Sequence, residues 1–94
     1  MMDQDIYRTI GRRIRSRRRL LDLTQSDVGR ACGISAQLVS KYEAAQIALP
    51  FVKLLYLAQA LEVPISYFTD ELNVGAADGS RSARADADLL SSNF

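Results

Sequence analysis

The chain has 94 residues and a hydrophobic content of 48%, which is ordinary for a single globular domain with one core. Its longest apolar run is far shorter than the roughly twenty residues that a membrane span requires. The acidic start MMDQD does not resemble a secretory signal. We therefore expect a cytoplasmic protein that has no membrane partner.

Cysteine and histidine usage argues against a metal centre and against an enzyme. One cysteine cannot form an internal disulfide, and without histidine there is no plausible zinc site. The chain also lacks a credible general base, because its carboxylates are not clustered in a pocket-forming context. We expect no catalytic residues, no metal and no cofactor.

The net charge is only +1, but the basic residues are concentrated in the N-terminal half. Residues 1–43 carry nine Arg and Lys against five Asp and Glu, residues 44–72 carry one against three, and residues 73–94 carry two against three. DNA binding requires a local positive surface and not a basic total. The distribution is therefore compatible with a nucleic-acid partner.

The first predicted element is an arginine-rich helix. Apolar residues at helical spacing predict one stripe toward the core: Ile6, Ile10, Ile14 and Leu21. Most of the seven arginines between residues 8 and 19 fall outside this stripe. We interpret three of them as solvated and three others as candidates for reaching a DNA backbone. The first set is Arg8, Arg15 and Arg19, and the second is Arg12, Arg13 and Arg17.

Residues 24–43, TQSDVGRACGISAQLVSKYE, predict two short helices joined by a glycine turn. Thr24 and Asp27 can form a capping box, so a helix should begin at Gln25. Gly33 should end it in a left-handed conformation, and Ser35 should cap the next helix. The short gap forces steep packing, as in the helix-turn-helix units that present their second helix to the DNA major groove. The predicted inner faces consist of Val28, Ala31, Ile34, Val39 and Tyr42.

Two small residues in the first helix of this unit need an explanation. A glycine inside a helix costs about 1 kcal/mol relative to alanine, so Gly29 indicates close approach of the second helix. The alternative is that Gly29 only marks a weak helix. We interpret Cys32 as a small core residue.

The remaining residues predict two further helices and a tail. Pro50 suits the start of a helix with a core face made of Phe51, Leu54, Leu57, Ala58 and Leu61. Pro64 should start a short helix in which Ile65 and Phe68 point inward. Residues 73–94 are expected to be a flexible tail, although the final LLSSNF is apolar enough to dock on something. Three residues outside the main stripe are dimer candidates or peripheral core: Leu55, Tyr56 and Tyr67.

Several segments together resemble the Cro/repressor-type helix-turn-helix regulators of bacteria and their phages, the XRE family. They are IGRRIRSRR before the motif, TQSDVGRACGIS and VSKYE within it, and LLYLAQALEVPISYF after it. The resemblance covers about residues 6–72. It implies an all-α fold, a compact bundle of about five helices like the DNA-binding domain of lambda repressor. The domain would then occupy residues 1–72 and the tail residues 73–94.

The resemblance also implies roles for individual residues. Arg18 and Glu43 match an arginine and a glutamate that form a partly buried ion pair in that family, which gives both an architectural role. The helix beginning at Ala36 would be the recognition helix, and the family's base-contacting positions fall on Ala36, Gln37 and Lys41. Expected phosphate contacts come from four polar residues: Gln25, Ser35, Ser40 and Gln46.

The loop after the recognition helix departs from the family's pattern. Family members often have a glycine and basic or amide residues here, whereas this chain has AAQIA at residues 44–48. Ala45 occupies the glycine position, where a left-handed backbone would be mildly strained. We expect either weaker contact with the DNA backbone from this loop or compensation by arginines of the first helix.

The sequence therefore favours a sequence-specific DNA-binding transcriptional regulator, a repressor acting as a homodimer on a near-palindromic operator. The competing interpretation is a protein-interaction module, such as the antitoxin of a toxin–antitoxin pair, whose tail wraps a partner protein. Deletion of the tail after Asn73 would separate the two, because it should spare DNA binding by a regulator and abolish partner binding by an interaction module. No second domain is large enough to bind a small-molecule effector, so we expect none.

Overall fold

Five helices follow one another along residues 3–72, the part of the chain that this computed structural model describes. They are α1 (Asp3–Leu20), α2 (Gln25–Cys32), α3 (Ala36–Glu43), α4 (Phe51–Ala60) and α5 (Ser66–Thr69). The predicted all-α class and helix number are confirmed for this range. The expected tail, including LLSSNF, lies outside the described residues. No helix within residues 3–72 is both long enough and apolar enough to cross a membrane.

The core lies between α1 and the four shorter helices. Its most completely buried large side chains are Phe68, Ile14, Leu57, Leu61, Val28 and Val39. Removing a side chain of this size from water contributes about 1.5–3 kcal/mol, so these residues dominate the stabilisation of the bundle. The predicted stripe of α1 is present, because Ile10 and Ile14 are buried while Ile6 and Leu21 pack against the core from its edge.

Two residues that the sequence assigns to inner faces are exposed instead. Ala31 is exposed because the buried face of α2 is centred on Val28 and Gly29, which turns Ala31 toward solvent. Phe51 is 65% exposed because it is the first residue of α4. Helical side chains lean toward the N-terminus, so a side chain at this position projects past the end of the helix.

Cys32 packs against the edge of the core and is only half-buried. This partial burial raises the pKa of its thiol, although the nearby positive charge of Lys53 acts in the opposite direction. A raised pKa keeps the thiol in its neutral form at neutral pH. Cys32 therefore behaves as a small, weakly polar packing residue, close to the sequence interpretation but less enclosed.

Each of the first four helices ends in the same left-handed turn. The residues in this conformation are Asp22, Gly33, Ala45 and Glu62, with φ between 56° and 72°. In each turn the next residue donates its N–H to the carbonyl five positions earlier, as in the bond from Gln46 to Lys41. This hydrogen bond satisfies a carbonyl that the helix end leaves free. Only Gly33 of these four residues is a glycine, so the other three hold an unfavourable backbone conformation.

Two glycines allow close contact between backbones. A Cβ atom added at Gly11 of α1 would lie 2.7 Å from the carbonyl oxygen of Tyr42 and still nearer to that of Glu43. A Cβ atom at Gly29 of α2 would lie 2.6 Å from the carbonyl oxygen of Ile34. These distances leave no room for a methyl group. Gly29 thus sets the tight turn between α2 and α3, and Gly11 sets the separation of α1 and α3.

We predict that Gly11→Ala lowers the free energy of unfolding by about 1–3 kcal/mol, because the methyl group forces α1 away from the backbone of α3. Urea unfolding followed by circular dichroism measures the change. Ser16→Ala is the matched control, since Ser16 is exposed on the same helix. A Gly11→Ala variant as stable as this control would contradict the close approach.

We predict that Ala45→Gly raises the free energy of unfolding by about 1 kcal/mol, since glycine adopts φ of 56° without the clash of a Cβ atom. The neighbouring Ala44 has φ of −90°, so Ala44→Gly should have no such benefit. Thermal unfolding of the two variants side by side tests this contrast. Equal destabilisation by both substitutions would refute it.

Candidate nucleic-acid interface

The start of α2 is fixed by the predicted capping box. The Thr24 hydroxyl accepts a hydrogen bond from the backbone N–H of Asp27 at 2.9 Å, and the Asp27 carboxylate accepts one from the N–H of Thr24 at 2.8 Å. The hydrogen bonds from the Thr24 backbone and side chain lower the pKa of Asp27. Ionised Asp27 therefore stabilises the fold at a pH above its unfolded-state pKa. This stabilisation is lost as the pH falls through the lowered pKa of Asp27 in the folded state.

The side chains of α3 divide into an inner and an outer face. Val39 and Tyr42 are buried, while Ser35, Gln37, Ser40 and Lys41 are exposed. Ser35 caps the helix, because its hydroxyl accepts a hydrogen bond from the backbone N–H of Leu38 at 3.0 Å. Gln37 and Lys41 are four residues apart and so project from the same side of α3. The helix ends at Glu43 and presents these polar groups to solvent.

Arg18 and Glu43 form the ion pair that the sequence resemblance implies. The guanidinium donates two hydrogen bonds to the carboxylate, from Nε to Oε2 at 2.6 Å and from Nη2 to Oε1 at 3.1 Å. The two side chains are only 11% and 4% exposed. Arg18 also donates to the carbonyl oxygen of Leu23 at 2.9 Å. The pair therefore links α1, the following turn and α3.

Gln25, the first residue of α2, joins this buried pair. Its side-chain amide donates a hydrogen bond to Oε1 of Glu43 at 3.1 Å. An amide nitrogen carries two protons, so one remains for another acceptor. Glu43 thus holds the Gln25 side chain in one position at the half-buried edge of α2 and α3.

Two of the three arginines that the sequence pattern offers as candidates for contacting a DNA backbone bind other parts of the bundle. Arg13 donates to the carbonyl oxygens of Phe68 and Asp70 at 3.1 and 2.7 Å. Arg17 donates to the carbonyl oxygen of Leu61 at 2.9 Å. Helix C-termini attract cations because their last carbonyls lack partners. Arg13 and Arg17 therefore fasten α1 to the ends of α4 and α5, which the local sequence pattern does not reveal.

The other helix-one arginines remain at the surface. Arg12 is exposed, with a hydrogen bond of 3.5 Å to the Thr9 hydroxyl. Arg8 forms an exposed ion pair with Asp5 at 3.1 Å. Arg15 and Arg19 are also exposed.

The loop after α3 brings few polar groups to the surface. Ala45 has the left-handed backbone that the sequence position suggests. Gln46 and Ile47 are exposed, and residues 45–48 face the beginning of α1 across a shallow groove that includes Asp3 and Tyr7. Gln46 is the only residue of this loop segment whose side chain can donate a hydrogen bond.

Within residues 3–72, the structure brings together no group of three or more His, Cys, Asp or Glu residues suited to a metal ion. The polar groups that it does bring together are the exposed face of α3 and the start of α2. Both elements belong to one compact unit whose turn is fixed by Gly29 and Gly33. This is the geometry of a helix-turn-helix nucleic-acid-binding unit.

Comparison with known proteins agrees with this class. A family model described as a helix-turn-helix domain matches residues 9–66. The P22 c2 repressor, whose crystal structure is a complex with the synthetic operator 9T, matches with a TM-score of 0.59 and 32% sequence identity. The match covers 63% of this chain and 89% of the repressor chain. The chain belongs to the Cro/repressor-type helix-turn-helix family, the XRE family.

Two curated relatives are bacterial proteins. An uncharacterised HTH-type transcriptional regulator of Sinorhizobium fredii is 41% identical over 68 residues, which is 72% of this chain and 46% of the relative. An uncharacterised transcriptional regulator in the ATPase CF(0) region of Rhodospirillum rubrum is 39% identical over 66 residues, which is 70% of this chain and 61% of the relative. The chain thus spans about half the length of these relatives.

We predict that Glu43→Gln lowers the free energy of unfolding by about 3–5 kcal/mol, because it leaves the buried Arg18 guanidinium without a counter-charge. Chemical denaturation measures the loss. Asp5→Asn, which removes the exposed pair with Arg8, is the control and should cost less than about 1 kcal/mol. Similar losses in the two variants would contradict the buried character of the pair.

Proposed function

We propose that this protein is a sequence-specific DNA-binding transcriptional regulator that inserts α3 into the major groove of double-stranded DNA. The observation that carries the proposal is the exposed polar face of α3, held on a helix-turn-helix unit similar to that of an operator-bound repressor. An α-helix fits the major groove, where each base pair presents a distinct pattern of donors and acceptors. The function consists of binding, and we assign no catalytic residue.

In this proposal three residues of α3 contact the base edges. Gln37 is suited to a bidentate contact with adenine, and Lys41 can donate to the acceptors of guanine. Ala36, which is half-buried, either touches a thymine methyl group or leaves room for its neighbours. Because Gln37 and Lys41 are exposed on one side of α3, both can approach base edges at the same time.

Phosphate contacts position α3 without reading sequence. We assign them to Gln25, Ser35, Ser40 and Gln46. One N–H of the Gln25 side-chain amide is bonded to Glu43, which fixes the position of the amide. The second N–H can donate to an anion, which favours a defined contact. Ser35, Ser40 and Gln46 are exposed.

In this proposal the regulator is a repressor, and it binds a near-palindromic operator as a homodimer. Recognition helices of the two subunits would lie about 34 Å apart, so that both enter the major groove on one face of the DNA. Leu55, Tyr56 and Tyr67 support a dimer, since they are 42%, 47% and 39% exposed. Phe51 and Val52 are also exposed, at 65% and 53%, and lie one helical turn before Leu55 and Tyr56 on α4.

The proposed DNA-binding domain occupies residues 1–72, and the proposed flexible tail occupies residues 73–94. We place the protein in the cytoplasm, where bacterial DNA lies, and we assign it no small-molecule effector. Because the curated relatives are longer than this chain, the proposal concerns the activity of the helix-turn-helix domain.

Selection of bound sites from random duplex DNA tests this function. The expected result is a near-palindromic site with half-sites one helical turn apart.

We further predict that Lys41→Ala relaxes preference at one base pair, with a loss of about 1–3 kcal/mol there. Titrations with base-substituted operators measure this change.

Ser40→Ala is the matched control, because Ser40 precedes Lys41 and is also exposed on α3. Loss of a phosphate contact should weaken binding to all duplexes to a similar degree. A uniform loss in Lys41→Ala would remove the base-reading role of Lys41. Failure of the unmodified chain to enrich any sequence would refute sequence-specific binding.

A further inference from the structure

A cleft of about 770 Å³ opens beside α3, where the last turns of α1 meet the start of α2. Arg15 and Arg19 contribute from α1, Gln25 from α2 and Ser40 from α3. The Arg18–Glu43 ion pair also lines the cleft. The sequence interpretation of Arg15 and Arg19 as solvated residues does not account for their position in this cleft.

The charges that line this cleft favour an anion. Arg18 and Glu43 neutralise each other at hydrogen-bonding distance. The remaining charges are two positive ones, on Arg15 and Arg19, and one negative one, on Asp22. Within residues 3–72, the guanidinium groups of Arg15 and Arg19 donate no hydrogen bond to another residue, in contrast to those of Arg13 and Arg17.

The donors around the cleft match the chemistry of a phosphate group. Arginine presents a planar set of N–H groups that binds phosphate oxygens in a bidentate manner. The Ser40 hydroxyl and the remaining amide proton of Gln25 add two neutral donors on the facing walls. Four side chains from three helices thus present donors to one space.

The position of the cleft favours a phosphate of duplex DNA over a free anion. Ser40 lines the cleft and directly precedes Lys41 on the exposed side of α3. A DNA strand bordering the groove that α3 enters would therefore pass the cleft. The loop that follows α3 has no cation between residues 44 and 48, so positive charge must come from elsewhere.

We propose that Arg15 and Arg19 bind a backbone phosphate of the operator in this cleft and supply the charge that the loop after α3 lacks. The inference rests on the proposed DNA-binding function. The contact anchors one DNA strand beside the recognition helix and carries no base information. It places the phosphate-binding arginines of α1 at Arg15 and Arg19, whereas the sequence pattern offered Arg12, Arg13 and Arg17 as candidates.

The test measures the salt dependence of duplex binding by the full 94-residue chain and by Arg15→Gln and Arg19→Gln. Each substitution should reduce the slope of log K against log salt concentration by about 1 if it removes one phosphate contact. The loss of affinity should be similar on the selected operator and on unrelated duplexes. Arg15→Lys should retain the slope, because it keeps the charge, while binding less tightly than arginine.

Arg8→Gln is the matched control, since Arg8 is an exposed arginine of α1 that does not line the cleft. It removes the same charge and should leave most of the slope in place. The Arg15 and Arg19 variants should melt at the temperature of the unmodified chain by circular dichroism, because both side chains are exposed and form no hydrogen bond with another described residue.

The outcomes separate this inference from the proposed function. Binding by the unmodified chain with unchanged slopes in Arg15→Gln and Arg19→Gln would overturn the inference alone. A titration with inorganic phosphate, followed by NMR, forms the second arm. Phosphate binding that these substitutions abolish, together with unchanged DNA slopes, would identify a free-anion site and also overturn it. Absence of any DNA binding by the unmodified chain would overturn both.

Discussion

The buried ion pair between Arg18 and Glu43 is the interaction on which the position of α3 depends. Two charges held out of water tolerate little displacement, because any separation leaves one of them without a partner. Glu43 also accepts a hydrogen bond from Gln25, so the same carboxylate fixes the start of α2 relative to the end of α3. The contact at Gly11 holds the backbones of α1 and α3 together farther along. The positions of α1, α2 and α3 are therefore coupled through the side chain of Glu43.

The arginines of α1 illustrate how one helix serves several neighbours. Successive residues are about 100° apart around a helix axis, so a run of arginines points in many directions. Arg18 is directed to α3, Arg13 and Arg17 are directed to the carbonyl ends of α5 and α4, and Arg15 borders the cleft beside α2. A dense basic sequence is therefore only partly a nucleic-acid signal, because much of it holds the bundle together.

Local signals in the sequence predict much of this fold, but contacts between segments that are distant in sequence are harder to predict. The caps at Thr24 and Ser35 and the turn at Gly33 depend on a few adjacent residues, and the structure contains all three. The carbonyl partners of Arg13 depend on how separate helices meet, which spacing along one helix does not encode. Gly11 was open to the same argument as Gly29, since a glycine within an 18-residue helix also needs a reason.

The attachment of Arg13 to the backbone at Phe68 and Asp70 holds the end of the described chain against α1. Arg13 and Arg15 are two positions apart, so they project from nearly opposite sides of α1. The backbone from Phe68 to Asp70 is thus attached on the side of α1 turned away from the cleft of Arg15 and Arg19. In the proposed mode of DNA binding, a duplex at that cleft would therefore lie on the side of α1 opposite to this attachment.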